Sequence, residues 1–204
     1  NLDSKSDSVN FNVKSFEDIL QPEQYPLGRF PSNTEYAPSF MQQVAVNLSI
    51  GYDNSQIRSV NGPPGTGKTT LLKDIFAELV VRQAHDICKL PQKHICGTSD
   101  TQYCDEKAIG VIPAHITENN IVVASANNGA VQNIVNELPL ISGIDKEMIE
   151  QLKEADYFRK IANSSVSVKK NEKDKDKEVL WGLFSLEGGC TDNMLNIRSK
   201  LRAV

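Results

Sequence analysis

Gly62, Gly67, Lys68 and Thr69 satisfy the spacing G-x-x-x-x-G-K-[ST] within the run Gly62-Pro63-Pro64-Gly65-Thr66-Gly67-Lys68-Thr69. Glycines at 65 and 67 let backbone N–H groups turn inward and come close to phosphate oxygens. Lys68 places a compact positive charge between a β- and a γ-phosphate, and Thr69 offers a hydroxyl to Mg²⁺. Pro63 and Pro64 stiffen the entry to the loop, and Thr66 and Thr70 complete the stretch expected to touch the ligand. The chemistry implied is binding of a nucleoside triphosphate, ATP with Mg²⁺. Lys68 and Thr69 are the residues that would act on the reacting phosphates.

Such a loop works only if the flanking elements hold it. Ile57 to Asn61 is short and apolar enough to read as a buried strand running into the loop. After the loop, Leu71, Leu72, Ile75, Phe76, Leu79 and Val80 form one stripe of a helix that ends near Ala84. The free N–H groups and dipole at the start of that helix favour an anion. Upstream, Phe40, Val44 and Leu48 recur at spacing four, which predicts a helix from Ser39 to about Ile50. Downstream, Asn120 to Ser125 reads as a second buried strand, and Gly129 to Leu138 as a helix stopped by Pro139. Ile149 to Ile161 is a further helix, with Ile149, Leu152, Ala155, Tyr157 and Phe158 turned inward. Strand, loop, helix, strand, helix is the opening of an α/β sheet of parallel strands.

The remaining segments are less regular. Residues 1–36 are polar and interrupted by Pro22, Pro26 and Pro31, and read as an N-terminal arm or linker. A short helix from Val13 to Leu20, with Ser15 as N-cap, is expected within it. Residues 37–204 form the main domain. Residues 86–118 are too long for a plain connection and read as an insertion. Residues 167–178 include the run KKNEKDKDKE and read as a solvated charged loop. Val179 to Leu186, with Trp181, is a hydrophobic return.

Bulk composition narrows the partners. The chain holds 204 residues, 39% of them hydrophobic, with 22 Lys+Arg against 26 Asp+Glu. That balance excludes coating of nucleic acid through bulk charge, so any such contact must be local. No stretch approaches the roughly 18 apolar residues of a membrane span, and no basic-then-apolar leader is present at the start. No membrane partner is expected, and a cytoplasmic location follows as the expectation. Cys88, Cys96, Cys104 and Cys190, with His94 and His115 nearby, show no C-x₂-C pair, so reduced thiols rather than a zinc site are expected.

GPPGTGKTT, preceded by its short strand, resembles motif I of superfamily 1 DNA/RNA helicases. Two further runs share the likeness. Gln42-Gln43-Val44-Ala45-Val46 resembles the Q-x-x-A-V element of that family, in which the glutamine reads the adenine edge, a role that falls on Gln42. Ser125-Ala126-Asn127-Asn128-Gly129-Ala130-Val131 resembles motif Ia, which touches the phosphate backbone of a single strand and implicates Ser125, Asn127 and Asn128. Asn127 stands where a serine is common. The resemblance covers residues 38 to 139. It implies the first ATPase domain of a helicase or translocase, a P-loop NTPase of RecA-like fold, with single-stranded DNA or RNA as partner of the full-length protein.

Hydrolysis in this class needs an acidic pair after an apolar strand. Asp105-Glu106 follows Tyr103-Cys104, which is no strand, and Asp145 follows Ser142-Gly143-Ile144. The family's motif III, second RecA-like domain and arginine fingers are absent as well. With a first residue of Asn1 rather than Met, this suggests an incomplete RecA-like domain from the N-terminal part of a longer helicase, able to bind Mg-ATP but hydrolysing it poorly. Alternatives are another P-loop ATPase, such as a clamp or transport ATPase, and a non-catalytic nucleotide-gated binding module.

Overall fold

A computed structural model describes residues 13–51, 57–92, 98–103, 107–110, 112–155, 157–164, 179–183 and 186–203. The chain divides into two compact units, Asn1–Phe30 with Pro38–Ile121, and Pro31–Ala37 with Val122–Val204.

The first unit is built on α2 (Phe40–Ile50) and α3 (Lys68–Cys88), preceded by α1 (Val13–Ile19). Ser15 lies inside α1 rather than at its N-cap. Ser39, read from the sequence as the first residue of this helix, is its N-cap. The buried side of α2 holds Val44 of the periodic set but not Phe40. Gln43, Val44, Val46 and Asn47 are buried, while Phe40 is 56% exposed and stacks its ring on Phe16 at 5.8 Å. α3 buries Leu71 and Phe76, together with Asp74 and Glu78. It runs one turn beyond the predicted Ala84. Residues 19–30 lie across these two helices and contribute Ile19 and Phe30 to the core. Within the expected insertion 86–118, β1 (Thr98–Tyr103) and β2 (Lys107–Gly110) pair antiparallel, and α4 (Ala114–Thr117) returns to α3, with Ile116 buried.

The second unit contains α5 (Asn128–Glu137), α6 (Lys146–Ala155), α7 (Arg159–Ser164) and α8 (Thr191–Ala203). Its core includes Leu138, Ile144, Ala162 and Trp181. Trp181 donates its indole N–H to Leu138 O at 3.0 Å, and its backbone N–H to Pro139 O at 2.9 Å. The helix expected over 149–161 is interrupted. α6 ends at Ala155 and α7 begins at Arg159, and between them Phe158 takes a left-handed φ of 53°. Tyr157 and Phe158 are each 51% exposed rather than turned inward. α8 lies beyond the elements picked out by the sequence pattern. The charged run 167–178 falls outside the described residues, as do Cys96, Cys104, Asp105 and Glu106.

The expected α/β architecture, an incomplete RecA-like parallel sheet, is corrected by this arrangement. Among the described residues the elements are helices, apart from the two-stranded antiparallel β1–β2 ribbon. Residues 57–61 and 120–125 belong to no strand. Ile57 is 89% exposed and Val122 90%. Strand propensity measures how well a side chain fits a pleated, half-buried surface. Without a neighbouring strand to supply that surface, an apolar run does not make a sheet. No described helix is long and apolar enough to cross a membrane.

Candidate functional site

The N-terminus of α3 is left open by its own sequence. Its N-cap is Gly67, which has no side chain with which to cap, and the first i to i−4 bond runs from Leu71 N–H to Gly67 O at 3.1 Å. The N–H groups of the preceding turn therefore have no partner inside the helix and remain available to an acceptor. Gly65 and Gly67 have φ of 81° and 75°. These left-handed conformations favour glycine and give the loop its reversal.

Side chains then fix the loop. Thr66 Oγ1 donates to Pro63 O at 2.8 Å. Lys68 Nζ donates to Gly62 O at 2.6 Å and Pro63 O at 2.7 Å, which folds its stem back over the loop. An ammonium held by two carbonyls is oriented without being neutralised, so its charge remains for an anion to share. Thr69 and Thr70 are exposed in the first turn of α3.

Gln42 reaches the loop from α2. Its Oε1 accepts from Ser39 N–H at 2.7 Å, and its Nε2 donates to Thr66 O at 3.0 Å. A Cβ on Gly67 would strike Gln42 Nε2, so only glycine lets the two approach. The structure thus brings together Gln42 and the whole of Gly62–Thr70, which the sequence singles out. Beside them opens a cavity of about 680 Å³, lined by the loop and by Met41, Ala45, Leu48, Ile57 and Val60. That volume falls within the range of small-molecule sites.

The donor set fits a triphosphate carrying Mg²⁺. Backbone N–H groups and the Lys68 ammonium would face its anionic oxygens, and the Thr69 hydroxyl would be one hard oxygen ligand. Mg²⁺ commonly takes few protein ligands and completes its shell with phosphate and water. Among the described residues, no group of three or more His, Cys, Asp or Glu could hold a metal ion.

Ser125 and Asn127 belong to the other unit. Asn127 N–H donates to Ser125 Oγ at 3.0 Å, and Asn127 Oδ1 accepts from Gly129 N–H at 2.9 Å, capping α5. Asn128 opens α5, and its side chain lies outside the described ones. Asp145 is also occupied. Its Oδ1 accepts from Glu147 N–H at 3.0 Å in the first turn of α6, and its Oδ2 accepts from Thr34 N–H and Oγ1 at 3.2 and 3.1 Å. These backbone bonds hold its carboxyl below the ordinary 3.8.

Sequence reasoning missed Ser39, although its signal was present. Ser39-Phe40-Met41-Gln42 is the S-x-x-Q of a reciprocal capping box, and both bonds of that box form. It also missed Arg29, Gln43 and Asp74, which carry no local pattern.

Comparison of the chain with protein-family models, with curated proteins and with solved structures finds no match.

Proposed function

We propose that this chain binds the triphosphate of ATP, with Mg²⁺, at the loop from Gly62 to Thr70. One observation carries the reading: the left-handed glycines, the Lys68 ammonium and an uncapped helix N-terminus converge on one loop. Phosphate oxygens would accept from the first-turn N–H groups, and Lys68 would exchange loop carbonyls for phosphate. Thr69 would ligate the Mg²⁺ that arrives with the nucleotide. Thermal melts with and without Mg-ATP test this reading. A ligand-dependent rise that vanishes in Lys68→Ala supports it, and no rise in the wild-type chain overturns it.

A wider activity rests on the three motif resemblances together. In that reading the protein is an ATP-dependent nucleic-acid helicase or translocase, with Ser125, Asn127 and Asn128 touching single-stranded DNA or RNA. The exposed Asn127 cap at the start of the ten-residue α5 is compatible with a phosphate contact. Stimulation of ATP turnover by single-stranded nucleic acid is the test. Tight ATP binding with no turnover in the full-length protein would instead assign a nucleotide-gated binding module. The sequence favours slow turnover, because it has no acidic pair following an apolar run.

A further inference from the structure

Gln42 and Gln43 are neighbours on α2 with different partners. Gln42 holds the loop at Thr66 O. Gln43 is buried, accepts from Arg29 Nη1 at 3.0 Å and donates to Asn47 Oδ1 at 2.7 Å. Asn47 in turn donates to Ile19 O at 2.8 Å. On α3, Asp74 and Glu78 lie one turn apart and serve the same segment. Asp74 accepts from Phe30 N–H at 3.0 Å and pairs with Arg29 Nη2 at 3.0 Å. Glu78, 1% exposed, accepts from Gly28 N–H at 3.0 Å and from Arg82 Nε at 2.7 Å. Two carboxylates at helical spacing thus take the N–H groups of alternate residues, 28 and 30, of an extended strap. The approach is close: a Cβ on Gly28 would lie 2.7 Å from Ala77 O and 2.5 Å from Val81 Cγ2.

Bonds of this kind are more than cover for an apolar face. Buried carboxylates are retained at a desolvation cost unless every acceptor is used. Here both helices that contact the loop direct their buried polar groups at one strap, and Arg29 bridges them. We propose that residues 19–30 act as a positioning strap for the phosphate loop. Through the Arg29–Gln43–Asp74 junction they hold α2 against α3, and so keep Gln42 seated on Thr66. The effect on nucleotide affinity rests on the ATP-binding reading above, whereas the effect on the loop does not. When the strap is broken, the loop samples conformations without the Gln42 anchor, and apparent affinity falls with the fraction that remains competent.

The test compares Arg29→Ala, Arg29→Lys and Gly28→Ala with the wild-type chain by nuclear magnetic resonance and ATP titration. Arg29 is a good first target because its side chain is 42% exposed and Asp74 keeps its bond from Phe30. In Arg29→Ala the Gln42 side-chain amide and the Thr66 and Gly67 backbone amides should shift. Mg-ATP affinity should fall about fivefold, and Arg29→Lys should restore part of both. Gly28→Ala, which displaces the strap without removing a polar group, should move the same resonances. Unmoved Gln42, Thr66 and Gly67 signals in folded Arg29→Ala and Gly28→Ala overturn the proposal, as does an ATP affinity within about twofold of a wild-type chain that binds. If the wild-type chain does not bind ATP, the nucleotide reading fails and the loop resonances alone decide on the strap.

Discussion

The N-termini of α2 and α3 meet at Gln42 and are finished in opposite ways. α2 is closed by its own sequence: Ser39 and Gln42 exchange side-chain and backbone bonds at 3.4 and 2.7 Å. α3 begins on Gly67, with no side chain to cap it. A helix end left without a cap in a folded protein leaves donors that a ligand can use. The closed end gives up that capacity for rigidity, and Gln42 carries the rigidity across to the open one. The pair therefore divides the work, one end left open and the other holding it in place.

Lys68→Ala tests the open end and should have the largest effect. Mg-ATP at about a hundred times its dissociation constant stabilises a one-site protein by ~2.7 kcal/mol, and this variant should lose all of it in a thermal melt. Next come the two glycines. Gly67→Ala combines a left-handed backbone with a collision at Gln42, whereas at Gly65 only the backbone is strained, since nothing lies within 4 Å of its Cβ position. Gly65→Ala should cost about 1–2 kcal/mol, and Gly67→Ala more, with a greater loss of ATP affinity by calorimetric titration. Gln42→Ala removes the link. If the amide anchors Thr66, ATP and GTP affinities fall alike. A loss confined to ATP reassigns the amide to adenine.

Ser39→Ala opens the closed end and should lower stability by about 1 kcal/mol in denaturant titration, with a smaller effect on ATP than Gln42→Ala. α6 offers a third N-terminus, closed by a charge. Asp145 keeps its proton off more readily when folded, so its contribution is present above 3.8 and is lost as pH falls through the lower folded value. Acid melts should show Asp145→Asn less stable at neutral pH and less sensitive to pH below 3.8.

The features legible in the sequence were those encoded locally. The helical span of α2, the start of α3 after the glycine-rich loop and the end of α5 at Glu137 before Pro139 depend on a few adjacent residues. The parallel sheet expected from Ile57–Asn61 and Asn120–Ser125 does not form, because strand-like residues alone do not make a strand and pairing depends on distant chain. Gln43, Asn47, Asp74 and Glu78 were also hidden. Residue type places such groups at the surface, and only their partners on residues 19–30 explain their burial. The left-handed φ of Phe158, between α6 and α7, is one backbone angle for which no residue type there gave warning.

Trp181 is the only tryptophan in the chain, 7% exposed, with Tyr157 edge-on at 5.6 Å. Its emission therefore comes from a dry, fixed indole in the unit that does not hold the glycine loop. Fluorescence should follow the melting of that unit alone, while calorimetry records heat from both. Coincident transitions would mean that the two units melt as one cooperative body. Separated transitions would give the unit of the glycine loop its own melting curve, with the Trp181 signal as an internal reference that Mg-ATP should leave unchanged.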